Sequence, residues 1–442
     1  MSLMNRVALN ERGNVRESQK IDKESSLNEL KRRLNASLPP ARIASLIAKN
    51  PIQARSEIRL SCNRVFDQCP WLAKTEQEKE DLIVQLLDYV FGFGPLEEML
   101  NDETITEIMV NGTHSLYFER GGVLYRAEKA FYSDEQVYAL IDKIVGPLGR
   151  RIDESSPMVD ARLKEGHRVN AIIPPLALDG PVVTIRKFRA RVFSLDEMEE
   201  MGSVDALVKQ LLKWSVLQRC SVVVSGGTGS GKTTLLNALS CEIPFSERII
   251  TIEDSAELRF QNHPHVVRLE SRGVNTEGVG EVTIRDLVIN ALRMRPDRII
   301  VGECRGAEML DALQAMNTGH EGSLTTLHAN SPKEAISRLT TMVRFGVDLP
   351  VEVIEGQIAS AIDLVVQTTR SSSGRRFVSQ IVGYHFSSER KRCECSEYYR
   401  RPFFNNEGTW VKIPDFINQL SNTGVATQEE VRNWKKLASS LQ

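Results

Sequence analysis

Residues 225–234 read Ser-Gly-Gly-Thr-Gly-Ser-Gly-Lys-Thr-Thr, a complete phosphate-binding loop with Gly226, Gly231, Lys232 and Thr233 at the spacing such a loop needs. Each position has a physical task. The glycines let the backbone turn tightly, so that consecutive N–H groups converge on a phosphate. The lysine spans the β- and γ-phosphates, and the threonine hydroxyl reaches a Mg2+ ion. The flanks agree with this reading. Val222-Val223-Val224 enters as a buried strand, and Thr234-Leu235-Leu236-Asn237-Ala238-Leu239 leaves as a helix whose N-terminus faces the anion. A chance match in a glycine-rich turn would not carry both. The expected contacts with a nucleoside triphosphate are Gly226, Gly227, Thr228, Gly229, Ser230, Gly231, Lys232, Thr233 and Thr234.

Around this loop the chain of 442 residues divides by pattern. Residues 1–25 are polar and without apolar period, and are expected to be a disordered arm. Helical spacing of leucine and isoleucine from Leu27 to Val90, punctuated by Pro39-Pro40, Pro51 and Pro70, predicts a small helical module over 26–91. Alternating stretches around Ile105–Asn111, Leu116–Phe118, Val123–Tyr125, Arg168–Ile173 and Val182–Phe188, with a helix over Gln136–Val145, predict an α+β domain over 92–188. Residues 189–203 read as a linker. Strand and helix then alternate through 204–387, with strands at Ser221–Ser225, Ile249–Glu253, Val266–Leu269, Ile299–Glu303 and Gly322–His328. That is an α/β fold with a mainly parallel sheet. The charged remainder, 388–442, is expected to be a C-terminal tail.

Phosphoryl transfer also needs acids near the terminal phosphate, for the metal and for the attacking water. Open α/β sheets place ligands at the carboxyl ends of their strands. Two apolar strands there end in acids: Ile249-Ile250-Thr251-Ile252-Glu253-Asp254, which closes on two of them, and Arg298-Ile299-Ile300-Val301-Gly302-Glu303. Each acid alone would read as a cap or a surface carboxylate; beside a phosphate loop they are candidates for the nucleotide site. His320 and His328 flank the last predicted strand, and a neutral imidazole at a strand end can donate to a phosphate.

Four motifs in order, Gly226–Thr234, Thr251–Leu258, Val301–Gly306 and the stretch around His328, resemble the ATPases of type II/IV secretion and type IV pilus assembly, a branch of the RecA-like motors. The resemblance covers roughly Gly92 to Asp363. It implies a RecA-like P-loop core, a PAS-like α+β N-terminal domain, Mg2+-dependent ATP hydrolysis and a homo-hexamer. By motif, Glu253 resembles the general base or water-orienting acid, Glu303 the acid that holds Mg2+ through water, and His328 the box histidine; Thr233 keeps its metal role. Two N-terminal arginines of the family face the γ-phosphate across the interdomain cleft. They map to Arg168 and Arg186, with Arg162 a weaker third. Gly94–Leu100, Glu107–Gly112 and Arg168–Pro175 look like the tight-adherence (Flp) pilus type, and the missing C-x-x-C pair near 330–400 sets the chain apart from many type II ATPases. Conjugation-type type IV secretion is the alternative.

Two rivals from other classes stay open at this stage. A nucleic-acid motor would need a basic, aromatic-lined channel, yet the net charge is −2 and aromatics are 6%, so no direct nucleic-acid partner is expected. A nucleotide-gated scaffold would bind without turnover, although both acids are present. No stretch is apolar enough to span a bilayer and no signal peptide is expected. The expected location is the cytoplasm, and the family resemblance implies a tie to the inner membrane through a polytopic platform protein. Seven scattered cysteines read as reduced thiols; Cys393 and Cys395, near His385, are the single hint of a metal site and lack a second ligand pair.

Overall fold

The computed structural model describes residues 26–442 apart from 114, 128–129, 132, 189–191, 261–262 and 275–278. The expected arm over 1–25 and the first residues of the expected linker lie outside the described residues. The chain forms two compact units, Met1–Arg189 and Ala190–Gln442.

The first unit opens with helices over 26–37, Pro40–Lys49, Pro51–Gln68 and Glu76–Phe91. Their boundaries follow from capping chemistry. Asn50 accepts from the amides of Ile52 and Gln53 while Pro51 takes the first helical position. Thr75 and Glu78 form a reciprocal capping box. Leu30, Leu34, Ile58, Phe66, Ile83 and Leu86 are buried in the resulting core. Next comes an antiparallel sheet in the order β3-β2-β1-β6-β5-β4. Its strands are β1 (Ile105–Asn111), β2 (Ser115–Arg120), β3 (Val123–Arg126), β4 (Met158–Arg162), β5 (Arg168–Ile172) and β6 (Val182–Arg186). The helix Asp134–Val145 buries Val137, Leu140, Ile141 and Ile144 with Ile108, Val169, Val183 and Ile185. Sequence reading passes over β4, a polar edge strand with no fully buried residue.

The second unit is built on a nine-stranded sheet, β15-β14-β13-β12-β7-β11-β10-β8-β9. It comprises β7 (Val222–Gly226), β8 (Ile249–Glu253), β9 (Val266–Glu270), β10 (Arg298–Val301), β11 (Leu324–His328), β12 (Leu364–Arg370), β13 (Arg376–Ser387), β14 (Arg392–Arg400) and β15 (Thr409–Trp410). From β12 to β9 all pairings are parallel; β13, β14 and β15 add on antiparallel. Every residue of β7, β8 and β10 is buried, because helices cover both faces. Alternate residues feed two cores: Val222, Val224 and Ile300 one, Val223, Ile250 and Ile299 the other.

Two expectations need correction. Within the expected linker, Leu195–Glu200 is a helix with a Ser194/Glu197 capping box, and Leu195 and Met198 enter the core of the second unit. Its charged residues mask an i, i+3 apolar pair. The expected tail is likewise part of this unit. Strands β14 and β15 extend the sheet, and the helix Gln428–Ser440 docks through Trp434, whose indole N–H donates to Leu207 O at 3.1 Å. Trp410 and Trp434 meet edge to face at 4.8 Å, Trp214 lies 6.1 Å from Trp434, and the Tyr399 hydroxyl donates to Asp205 at 2.7 Å. Four large side chains spread over charged sequence make one buried cluster.

Replacing a buried tryptophan by alanine typically costs about 3–5 kcal/mol. Trp434→Ala is expected to lower the unfolding free energy of this unit by that amount in urea denaturation. A loss below about 1 kcal/mol, the scale of a surface substitution, would show that the C-terminal helix is not part of the core.

Candidate nucleotide site

The carboxyl ends of the parallel strands bring the motifs together. Strand β7 runs into the loop at Gly226, and the helix Lys232–Ser240 leaves it with Gly231 at the N-cap, where no side chain occupies the first amides. A glycine N-cap therefore offers backbone N–H groups to an anion. The loop is staked from both sides. Toward β11, His328 pairs in register with Gly226. Toward β12, the Thr368 hydroxyl donates to Ser225 O at 3.1 Å and lies 2.8 Å from Ser230 Oγ. Ser225 donates its hydroxyl to Gln367 Oε1, while Gln367 Nε2 reaches Ala329 O at 3.1 Å. A Cβ on Gly226 would stand 2.5 Å from Ser230 Oγ and from Thr368 O, so no larger residue fits there. Sequence reasoning missed Gln367 and Thr368. The available signal was a polar pair continuing the apolar run Leu364-Val365-Val366.

Lys232 is buried at 7% exposure. Its ammonium donates to Gly227 O at 2.9 Å and lies 3.3 Å from His328 Nδ1. An ammonium has no acceptor lone pair, so Nδ1 must accept, and the proton of a neutral His328 is then on Nε2. That nitrogen stands 2.8 Å from Glu303 Oε1. Burial, then the charge of Lys232, lowers the histidine pKa and favours the neutral ring. Glu303 Oε2 accepts from Arg305 Nε at 3.0 Å and Nη2 at 2.6 Å. The four side chains form one run, Lys232–His328–Glu303–Arg305.

Glu253, at the end of β8, is 3% exposed. Its Oε2 accepts from the amides of Glu257 and Leu258 at 2.7 and 3.0 Å, whereas Oε1 is buried with no hydrogen-bond partner. Burial raises its pKa to about 7, against the opposing pull of those amides. The residue before Glu303 is glycine for a physical reason: a Cβ on Gly302 would meet Glu253 Cγ at 2.8 Å. A carboxyl clamped through one oxygen, with the other available and a pKa near neutrality, suits a proton acceptor.

Thr228 is exposed, whereas Thr233 and Thr234 are partly exposed in the first turn of the helix. In the first unit, Arg162, Arg168 and Arg186 are successive register partners across β4, β5 and β6, and Glu107 follows on β1. Directly opposed residues share a face. The three arginines named from the motifs therefore form one row, on the face away from the buried Val169 and Ile185. His320 is not with the site: it precedes β11 at the amino end of the sheet. Cys393 and Cys395 lie on β14, where burial pushes their thiols up to about 12 and about 11. His385 is opposite Glu394 on the neighbouring strand, 3.2 Å from Ser396 Oγ.

Residues 91–406 match the type II/IV secretion system protein family, and the chain belongs to it. A putative conjugal transfer protein of Mycobacterium tuberculosis is 38% identical over 296 residues, 66% of this chain and 84% of that one. The type IV secretion system protein PtlH of Bordetella pertussis is 35% identical over 308 residues, 63% of this chain and 90% of that one. Among solved structures, the VirB11 ATPase of the Brucella suis type IV secretion system is 30% identical, covering 68% of this chain and 96% of that one with a TM-score of 0.36. Membership carries a nucleotide-binding site of this family's kind, and the residues fit one: the glycine cradle, the uncapped helix start, the buried Lys232 and the unpartnered Glu253 oxygen.

The raised pKa of Glu253 has a calculable sign. Between about 4.5 and about 7 the folded state binds more protons than the unfolded state. Stability is therefore lost as pH rises through that window, by an amount on the order of 2–3 kcal/mol. Glu253→Gln keeps an oxygen for the Glu257 and Leu258 amides but never ionises. It is expected to be more stable than the parent at pH 8 and about equal at pH 4.5 in paired denaturant titrations. The same difference at both pH values would contradict the burial of an ionisable Glu253.

Proposed function

We propose that the chain hydrolyses ATP with Mg2+ and drives macromolecular transport as the motor of a type IV secretion or conjugation-type system. The observation that carries the reading is the run Lys232–His328–Glu303 beside the buried, half-clamped Glu253. Lys232 and the loop amides bind the phosphates. Glu253 orients water and takes its proton at Oε1. His328, neutral, offers its Nε2 proton to the terminal phosphate. Arg168 and Arg186 stabilise transition-state charge on the γ-phosphate. The metal would be held by Thr233 and, through water, Glu303, and would supply charge neutralisation on the phosphates.

Relatives named for conjugal transfer and type IV secretion favour this system over tight-adherence pilus assembly, the narrower of the two resemblances. A homo-hexamer at the cytoplasmic face, docked on a polytopic membrane protein, is part of the proposal. Among the described residues no helix is long and apolar enough to cross a membrane.

Lys232→Ala is expected to abolish phosphate release and weaken ATP binding. Arg186→Ala is expected to retain ATP binding but lose turnover, on the order of 10³-fold as for other phosphoryl-transfer arginines. Arg186→Lys is expected to fail too, because a point charge lacks the planar fork. Parental ATPase rates in folded Lys232→Ala would overturn the proposal. Turnover of Arg186→Ala and Arg168→Ala within about twofold of the parent would remove the arginines from it.

A further inference from the structure

The serine-rich turn between β12 and β13 brings two arginines to the phosphate loop. Arg370 ends β12, Arg376 begins β13, and they are direct partners across the antiparallel pair. Directly opposed residues project from one face, where like charges destabilise a sheet. Both nevertheless reach the loop. Arg376 Nε donates to Gly229 O at 2.8 Å, and its Cδ lies 3.3 Å from where a Cβ on Gly231 would stand. Arg370 Nη1 lies 3.5 Å from the corresponding point on Gly229. Among the described residues, the Arg370 guanidinium has no hydrogen bond or ion pair.

The placement relative to β7 gives the pair its meaning. Lys232, His328 and Glu303 stand on the flank occupied by β11 and β10, whereas Arg370 and Arg376 stand on the flank occupied by β12 and β13. A phosphate chain lying across the loop with its terminal phosphate at Lys232 has its first phosphate on the arginine side. Guanidinium forks match phosphate oxygens in geometry as well as charge.

We propose that Arg370 and Arg376 clamp the α-phosphate end of a nucleoside di- or triphosphate. The hairpin then sets affinity for substrate and product alike and leaves hydrolysis to the opposite flank. An anion between the guanidiniums relieves the repulsion that the register imposes, so the pair is a recognition element rather than a support for the fold. The inference rests on the nucleotide reading of the loop given above.

Arg370→Gln carries the test, because it breaks no hydrogen bond to a described residue; Arg376→Lys is its companion. Binding of fluorescent ADP and of a non-hydrolysable ATP analogue to the full chain is measured together with turnover at saturating Mg-ATP. For Arg370→Gln, both dissociation constants are expected to rise about tenfold and by the same factor, with saturated turnover within about twofold of the parent. A merely structural role would also lower saturated turnover or the thermal midpoint. Unchanged affinities would overturn the proposal. So would weakened binding of the ATP analogue with ADP unaffected, since that places the clamp at the γ-phosphate. If the parent chain binds neither ligand, or Lys232→Ala binds both as the parent does, the nucleotide reading itself fails, independently of the hairpin.

Discussion

The site depends on one constraint: the parallel register of β8, β10, β11 and β7, which brings four strand ends to the same edge. Ile300 pairs with Thr251 and with Leu324, and Leu324 in turn pairs with Val222. With those pairs fixed, Glu253, Glu303, His328 and Gly226 are delivered within a few residues of the same level. A slip of one residue would exchange the two faces of a strand and turn its end away. The register is held by burial on both faces, since β7, β8 and β10 have no exposed residue on which to slide.

Electrostatics at that edge are arranged before any phosphate arrives. Burying an ammonium is costly unless it is hydrogen-bonded, and Lys232 donates to the Gly227 carbonyl and stands against the His328 imidazole. Beyond that imidazole, Glu303 stands 2.8 Å from His328 Nε2 and accepts from Arg305. Glu253 is tuned the other way: burial lifts its pKa while two amides resist complete protonation. Glu253 keeps its place beside β10 because Gly302 has no side chain to displace it.

The outline of the candidate site was legible because its residue pattern is encoded locally. A phosphate loop, an acid after an apolar strand and a histidine at a strand end each need only a few consecutive residues. The support for that outline was not legible, because it is made between distant segments. Gln367 and Thr368 brace the loop from a strand about 140 positions away, as their hydrogen bonds to Ser225 show. Arg370 and Arg376 acquire their position only when the hairpin pairs. The C-terminal residues looked like a tail because their apolar content is concentrated in a few aromatics amid charge. Trp410 and Trp434 join Tyr399 and Trp214 only in three dimensions. The family resemblance singled out Arg162, Arg168 and Arg186 in the first unit, and the sheet aligns them in one row.

A structure of the full chain with Mg2+ and a non-hydrolysable ATP analogue tests the central claim most directly. The account places the terminal phosphate on Lys232, with a water held between it and Glu253 Oε1. A phosphate chain bound elsewhere would contradict it. So would a terminal phosphate on Lys232 whose facing water is held by some other acid while Glu253 Oε1 stays enclosed.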